Sequence, residues 1–478
     1  MKTILQSLAI LFLLLMGSLS VSAQSDSSQQ LPSSEQNVGS PQAPPPEQIA
    51  RAKVVLEKAV DVLCPGGLSP GSPRKAIVET AIDQFLSGKV PDTLKTLKEL
   101  NAKDAETPPA EFLLTGFWFA VGDSKRGLAG LEKNAVEHPD YPGIYLSFAQ
   151  LALNSNRVSD AVLNAEKAEE LASQSDLSST WRTYFLKQYY EVKTNIHLRR
   201  KENDEANLAL DRLQEVKPNL PFFFLNKAKL MFEGGRDAEA VQFLRNYARS
   251  TESKQLPELT LVNWLKGKGR TKEAQGLLTA LTTKYPKDTD ALMMSAEMSL
   301  SEENFSKTLA MIERFERANA GETTRSIDIK GRIAFAGLSY DTAAGYFRAI
   351  AKEDSKNANN ATVLALSLIE SSDPEKRKEA QAILQQVVTR LPKNSLALAS
   401  LGYAFMKNGE NKNAAEAMRR VATARQGSSE VSWFLANWLA ERGQNQDAIK
   451  LLVNATQVQG FFLYRTAARK LLAKLRSQ

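Results

Sequence analysis

Small and large apolar residues return in one recurring phrase along most of the chain. A small residue is followed by apolar residues four and seven places on. The phrase reads Ala240/Leu244/Tyr247, Ala274/Leu278/Leu281, Ala380/Leu384/Val387, Ala414/Met418/Val421 and Ala448/Leu452/Ala455. Offsets of four and seven put all three residues on one helical stripe, so each phrase predicts the packing face of one helix. Less regular copies complete the series: Thr93/Leu97/Leu100, Gly127/Leu131/Asn134, Ala161/Ala165/Ala168, Ala206/Leu210/Leu213, Thr308/Ile312/Phe315 and Ala343/Phe347/Ile350. Leading residues fall at 93, 127, 161, 206, 240, 274, 308, 343, 380, 414 and 448, and seven of the ten steps equal 34. The remaining steps are 45, 35 and 37, where polar stretches such as 171–180 and 371–378 predict loop insertions. The register resumes after each.

A second helix is predicted ahead of each phrase. Pro139, Pro218, Pro286 and Pro392 lie 12 residues after a leading residue, where a helix has just ended and proline cannot extend it. Turns such as Gly234-Gly235-Arg236, Asn408-Gly409-Glu410 and Arg442-Gly443-Gln444 come just before a leading residue, and glycine there permits a left-handed cap. The helix before each turn carries its own close-packing points: Ala149/Ala152, Ala228/Met231, Ala296/Ser299, Gly331/Ala334, Gly402/Phe405 and Ala436/Leu439. Each unit is therefore helix, turn, helix, turn. A fixed period of this length predicts an all-α helical-repeat solenoid, in which stacked units share a continuous core.

With the Leu401-Gly402-Tyr403 run, the helix-opening alanines and the terminal prolines, these units resemble tetratricopeptide repeats over roughly residues 74–460. The resemblance implies a right-handed superhelix of about eleven helix pairs, with the first helix of each pair lining a concave groove. Carried over one position per unit, it implies groove residues Gln150, Asn195, Lys229, Asn263, Glu297, Arg332, Tyr403 and Asn437, with Ile369 interrupting and Trp433 on the same side. Amides, charges of both signs and a tyrosine suit recognition of an extended peptide or a glycan through many modest hydrogen bonds. A solvated face is polar in any case, so both readings stand. The family's clamp for C-terminal carboxylates has no match, because Lys229 with Asn195 and Asn263 is too thin a set.

The ends differ from the array. Lys2, the apolar run Leu8–Met16 and the small-x-small site Val21-Ser22-Ala23 make residues 1–23 an expected signal peptide, too short in its apolar part to span a membrane comfortably. Residues 24–46 are Ser/Gln/Pro-rich and expected to be a disordered linker. Residues 47–73 are expected to hold an N-terminal helix and loop, and 461–478 a C-terminal capping helix with Lys470, Lys474 and Arg476 outward. An exported chain, periplasmic or extracellular, follows. Membrane association would require that the signal stay uncleaved.

Composition narrows the chemistry. Of 478 residues 43% are hydrophobic and 24% charged, and the net charge is +7 with acids and bases interspersed, which argues against nucleic acid as a partner. Cys64, the single cysteine, precedes Pro65-Gly66-Gly67 and reads as packing at a helix end. His138 and His197 lack metal-ligand spacing, and neither a Gly-x-Ser-x-Gly elbow nor a phosphate loop occurs. No cofactor, metal or catalytic residue is expected. The aromatic runs Phe117-Trp118-Phe119 and Phe222-Phe223-Phe224 predict core packing with one member of each run facing outward. The functional expectation is an exported, non-catalytic scaffold that binds a protein or extended peptide in its groove. A periplasmic component of an envelope-assembly or polysaccharide-secretion system, with a polysaccharide as ligand, is the alternative. An all-α enzyme is the third, and it requires a deep pocket with convergent carboxylates.

Overall fold

The computed structural model describes residues 46–64, 73–104, 107–174, 177–354, 357–423 and 427–477. The expected signal peptide, the linker up to residue 45 and the loop at 65–72 lie outside them. Among the described residues there are 24 helices and no strand. The chain divides into two compact units, residues 1–257 and 258–478.

In the first unit, α1 (Pro46–Leu63) precedes five helix pairs. These are α2 (Pro73–Leu86) with α3 (Val90–Lys103), α4 (Ala110–Ala120) with α5 (Ser124–Glu137), α6 (Pro142–Asn154) with α7 (Val158–Ala172), α8 (Ser179–Arg200) with α9 (Asn203–Val216), and α10 (Pro221–Glu233) with α11 (Asp237–Ser250). The second unit holds six: α12 (Pro257–Gly267) and α13 (Thr271–Lys284), α14 (Thr289–Ser301) and α15 (Phe305–Asn319), α16 (Thr324–Ala336) and α17 (Tyr340–Glu353), α18 (Ala358–Ile369) and α19 (Pro374–Arg390), α20 (Ser395–Lys407) and α21 (Asn411–Thr423), α22 (Ser429–Glu441) and α23 (Asn445–Gln457). α24 (Arg465–Arg476) closes it. Every leading residue of the sequence register lies on the second helix of its own pair.

The register is visible in burial and in backbone conformation. Leading alanines such as Ala161, Ala206, Ala240, Ala274, Ala343, Ala380 and Ala448 are fully buried. Thr93 and Thr308 replace alanine without an unsatisfied hydroxyl, because each bonds the carbonyl four residues back, on Lys89 at 3.0 Å and Asn304 at 2.9 Å. Gly127 leaves room for the Phe119 ring, whose Cδ1 would stand 2.7 Å from an added Cβ. Five residues before the leading position, Gly88, Gly122, Asn156, Lys201, Gly235, Gly269, Glu303, Leu338, Gly409 and Gly443 all have φ between +56° and +85°. One left-handed residue thus reverses the chain between the two helices of a pair, whether or not it is glycine. The turn before α19 is built differently: Asp373 caps the helix by accepting from the Glu375 amide, and Pro374 opens it.

Two expectations need correcting. The 45-residue step is taken up chiefly by helix, since α8 has 22 residues against 13 in α6 and α10, and the 37-residue step by the 17 residues of α19. The C-terminal helix starts only at Arg465, and Phe461–Tyr464 ahead of it are non-helical with Phe462, Leu463 and Tyr464 buried. Lys470, Lys474 and Arg476 face solvent. In the aromatic runs, Phe117, Phe119, Phe222 and Phe223 are buried while Trp118 and Phe224 are half-buried, as alternating helical faces require.

Candidate functional site

In each unit the first helices pack against the chain's own terminal segment, and the candidate residues are best described from those contacts. In the first unit the last turn of α1 reaches α4, α6 and α8. Leu63 packs against Phe112 and Ile144, and Gly116 on α4 makes space for it, since an added Cβ would lie 2.6 Å from Leu63 Cδ1. The Tyr184 hydroxyl on α8 donates to the Val62 carbonyl at 2.7 Å. Beneath lies an aromatic floor in which Trp181 and Phe185 stack at 5.0 Å and Tyr141 stands edge-on to both. Cys64 is buried beside this turn, and burial pushes its thiol up to about 12, so a nucleophilic thiolate is suppressed.

A cavity of about 30 Å³, room for one or two waters, opens between Val62, Leu63, Ser147, Gln150, Gln188 and Glu191. Gln150 therefore does line a recess, and its amide donates to Asn154 Oδ1 at 3.1 Å. Glu191 is nearly buried, and burial raises its carboxyl above the ordinary value although the Lys187 ammonium, 3.0 Å away, pulls the other way. Asn195 on α8 is half-buried and Lys229 on α10 is exposed. The neighbouring Lys227 is committed to the fold, bonding Asn207 at 2.6 Å and Asp211 at 2.5 Å.

In the second unit, Asn263 on α12 is exposed. Glu297 on α14 pairs with Arg325 of the following pair at 2.6 Å, and Arg332 on α16 pairs with Asp328 one turn earlier at 2.7 Å. Asn437 on α22 is half-buried and donates to the Trp433 carbonyl at 2.8 Å, so its amide is partly spent within its own helix. Ile369 is buried.

Tyr403 and Trp433 do not present their side chains to solvent. They are 1% and 5% exposed because Phe461–Tyr464 cover them. Tyr464 stacks on Trp433 at 5.3 Å and meets Phe335, Phe434 and Tyr403 edge-on at 4.8, 5.3 and 6.4 Å. Phe461 reaches the cluster of Leu292, Ile312 and Ile329 and meets Phe305 at 6.5 Å. Arg465 pairs with Glu303 at 3.1 Å and donates to the Val458 and Gly460 carbonyls, both at 2.7 Å. Glu370, paired with Lys407 at 3.3 Å, lies beside the cluster. Burial first, then the Glu370 carboxylate, hold the Tyr403 and Tyr464 hydroxyls well above their ordinary value.

Sequence reasoning also missed an open cleft of about 450 Å³ between α19 and α20, lined by Arg377, Lys378, Gln381, Gln385, Lys407 and Glu410. Its floor is an amide chain: Asn408 donates to Gln381 at 2.6 Å, and Gln381 to Glu410 at 2.8 Å. The signal was the basic run Lys376-Arg377-Lys378, which the periodicity marked only as an insertion. Among the described residues, no group of three or more His, Cys, Asp or Glu side chains is placed to hold a metal ion, and no helix is long and apolar enough to cross a membrane.

Paired helices in a fixed register, closed by alanine and glycine contacts, define an all-α helical-repeat protein. The family model described as tetratricopeptide repeat matches residues 363–430 and 401–460, so the stretch holding α18–α23 carries tetratricopeptide repeats. No curated protein sequence matches the chain. Among solved structures it is similar to a tetratricopeptide repeat protein from Parabacteroides merdae, at 16% identity, 53% of this chain, 98% of that one and a TM-score of 0.41. It is also similar to yeast Tom70, at 11% identity, 85% of this chain, 96% of that one and a TM-score of 0.32. Likeness this low says nothing about ligand or pathway.

Proposed function

We propose that this protein is a non-catalytic interaction scaffold whose first helices dock an extended peptide or protein segment. The observation that supports this most directly is the Tyr184 hydroxyl on α8, which grips the Val62 main-chain carbonyl from 122 positions away. The Val62 carbonyl is one of those left unpaired at the end of α1, so a first-helix side chain here already answers a main-chain acceptor presented by a separate segment. Gln150, Asn195 and Lys229 on the first unit, and Asn263, Glu297, Arg332 and Asn437 on the second, are the side chains we assign to partner contact. Tyr403 and Trp433 belong to a covered part of that face.

The leader-like residues 1–23 support export to a periplasmic or extracellular site, where a partner would be met; mature protein beginning at Gln24 by mass spectrometry is the expected result. The scaffold reading is tested by introducing a photo-crosslinking residue at Lys229 or Asn263 in the native host. The adduct should contain one recurring partner. Alanine at Asn263, Glu297 and Arg332 should then weaken binding of that partner, and unchanged affinity in the triple variant would sink the assignment.

A further inference from the structure

The segment Phe461–Arg465 belongs to no repeat, yet it touches more units than any linker needs to. It follows the last second helix, α23, and places four consecutive side chains against α14, α16, α20 and α22. Its chemistry is sharply defined: two phenylalanines, a leucine, a tyrosine stacked on Trp433, then an arginine paired with Glu303 at 3.1 Å. The fit is incomplete in one respect. The Tyr464 hydroxyl, the Trp433 indole N–H and one oxygen of Glu370 are buried beside it with no hydrogen-bond partner. The segment thus covers these three polar groups without answering them. The connection on its N-terminal side is exposed at Val458 and Gln459, and Gly460 has φ +95°, so a short joint outside the packed region carries the segment in.

We propose that the first-helix face at Phe335, Tyr403, Trp433 and Phe434 is a docking site for an extended aromatic–basic segment. Phe461–Arg465 occupies it in cis, and a partner segment of the same chemistry takes its place in trans. This rests on the scaffold reading above and names the kind of segment the second unit receives. The occupant itself supplies the specification: an aromatic pair, an aliphatic residue, a ring to lie on Trp433, and a cation for Glu303.

The test uses the full chain with a protease recognition sequence placed between Gln457 and Val458. After cutting, residues 458–478 are held by contacts alone, and a fluorescent synthetic peptide of the same residues is added. Fluorescence anisotropy should show the peptide entering as the cut fragment leaves, with far-UV circular dichroism unchanged. Peptides carrying Tyr464→Ala or Arg465→Glu should compete at least about 100-fold more weakly. As a second variant, Arg465→Glu in the uncut chain should let the wild-type peptide bind at least about tenfold more tightly than it binds the unaltered chain. The proposal is overturned if the cut fragment leaves only as the second unit unfolds, or if all peptides bind alike. It is also overturned if the uncut chain forms a dimer that exchanges this segment between copies, which would make the second copy the occupant. Because exchange reads only the face at Tyr403 and Trp433, its failure leaves crosslinking through Lys229 or Asn263 intact, and the reverse holds.

Discussion

Two glycines in neighbouring helices of the second unit should respond in opposite ways to the same substitution. Gly331 lies inside α16, and an added Cβ would stand 2.7 Å from Phe347 Cε1 and 2.9 Å from Cζ. Phe347 is fully buried, so its ring cannot swing clear without moving its neighbours. Gly345 lies inside α17 on the exposed side, with nothing within 4 Å of an added Cβ. Replacing a helical glycine by alanine gains about 0.8–1.0 kcal/mol of propensity, and that gain is common to both sites. Overpacking at Gly331 costs about 1–3 kcal/mol, so Gly331→Ala should fall below Gly345→Ala in stability by about that amount. Urea unfolding followed by far-UV circular dichroism measures the difference directly. Adding Phe347→Leu to Gly331→Ala should recover at least about 1 kcal/mol of coupling, because the two positions share one contact. Equal stabilisation by both alanines would show that α16 and α17 are not packed through this glycine.

Tyr464→Phe removes a buried, unpartnered hydroxyl and should raise stability by about 1 kcal/mol in the same assay, whereas Tyr464→Ala should cost about 3–5 kcal/mol. A loss with phenylalanine would mean that the hydroxyl has a partner. Lys201, exposed at φ +61°, pays for a left-handed conformation that glycine adopts freely, so Lys201→Gly should stabilise the first unit by about 1 kcal/mol in thermal melts. A fall in melting temperature would refute this. Glu191 is raised above its ordinary value of 4.5, so the native state binds its proton more tightly than the unfolded chain does. The contribution of Glu191 to stability should therefore be full below that value and be lost as pH rises through the raised native one. Glu191→Gln should flatten the decline, and an unaltered pH profile would contradict the assignment.

The repeat register was legible because packing within a unit is local: Ala380, Leu384 and Val387 face the core whatever lies elsewhere. The left-handed residue of each turn was legible only where it is glycine. At Lys201, Glu303 and Leu338 the same backbone is imposed by the neighbouring helices and no local residue preference announces it, whereas Asn156 is of a type that adopts it readily. The inner face was read less well. Tyr403 and Trp433 occupy positions that a solvated groove would use, but their cover arrives from Phe461–Tyr464, tens of residues downstream. Helical periodicity carries no term for that contact. The same periodicity joined Phe461 to the helix that begins at Arg465, because an apolar run and an amphipathic start look alike over four residues. The extra residues beside Trp181 were taken for a loop because their polarity matched one, although most of them lengthen α8.

The late position of Phe461–Arg465 has a consequence for synthesis. Domains fold largely from the N-terminus onward as the chain emerges. Every helix that this segment touches, α14 through α22, is complete before the ribosome reaches it. Until then Tyr403, Trp433 and Phe434 lack the cover that Phe462–Tyr464 give them in the folded unit. The segment closes that interval when it docks on the helix pairs already formed.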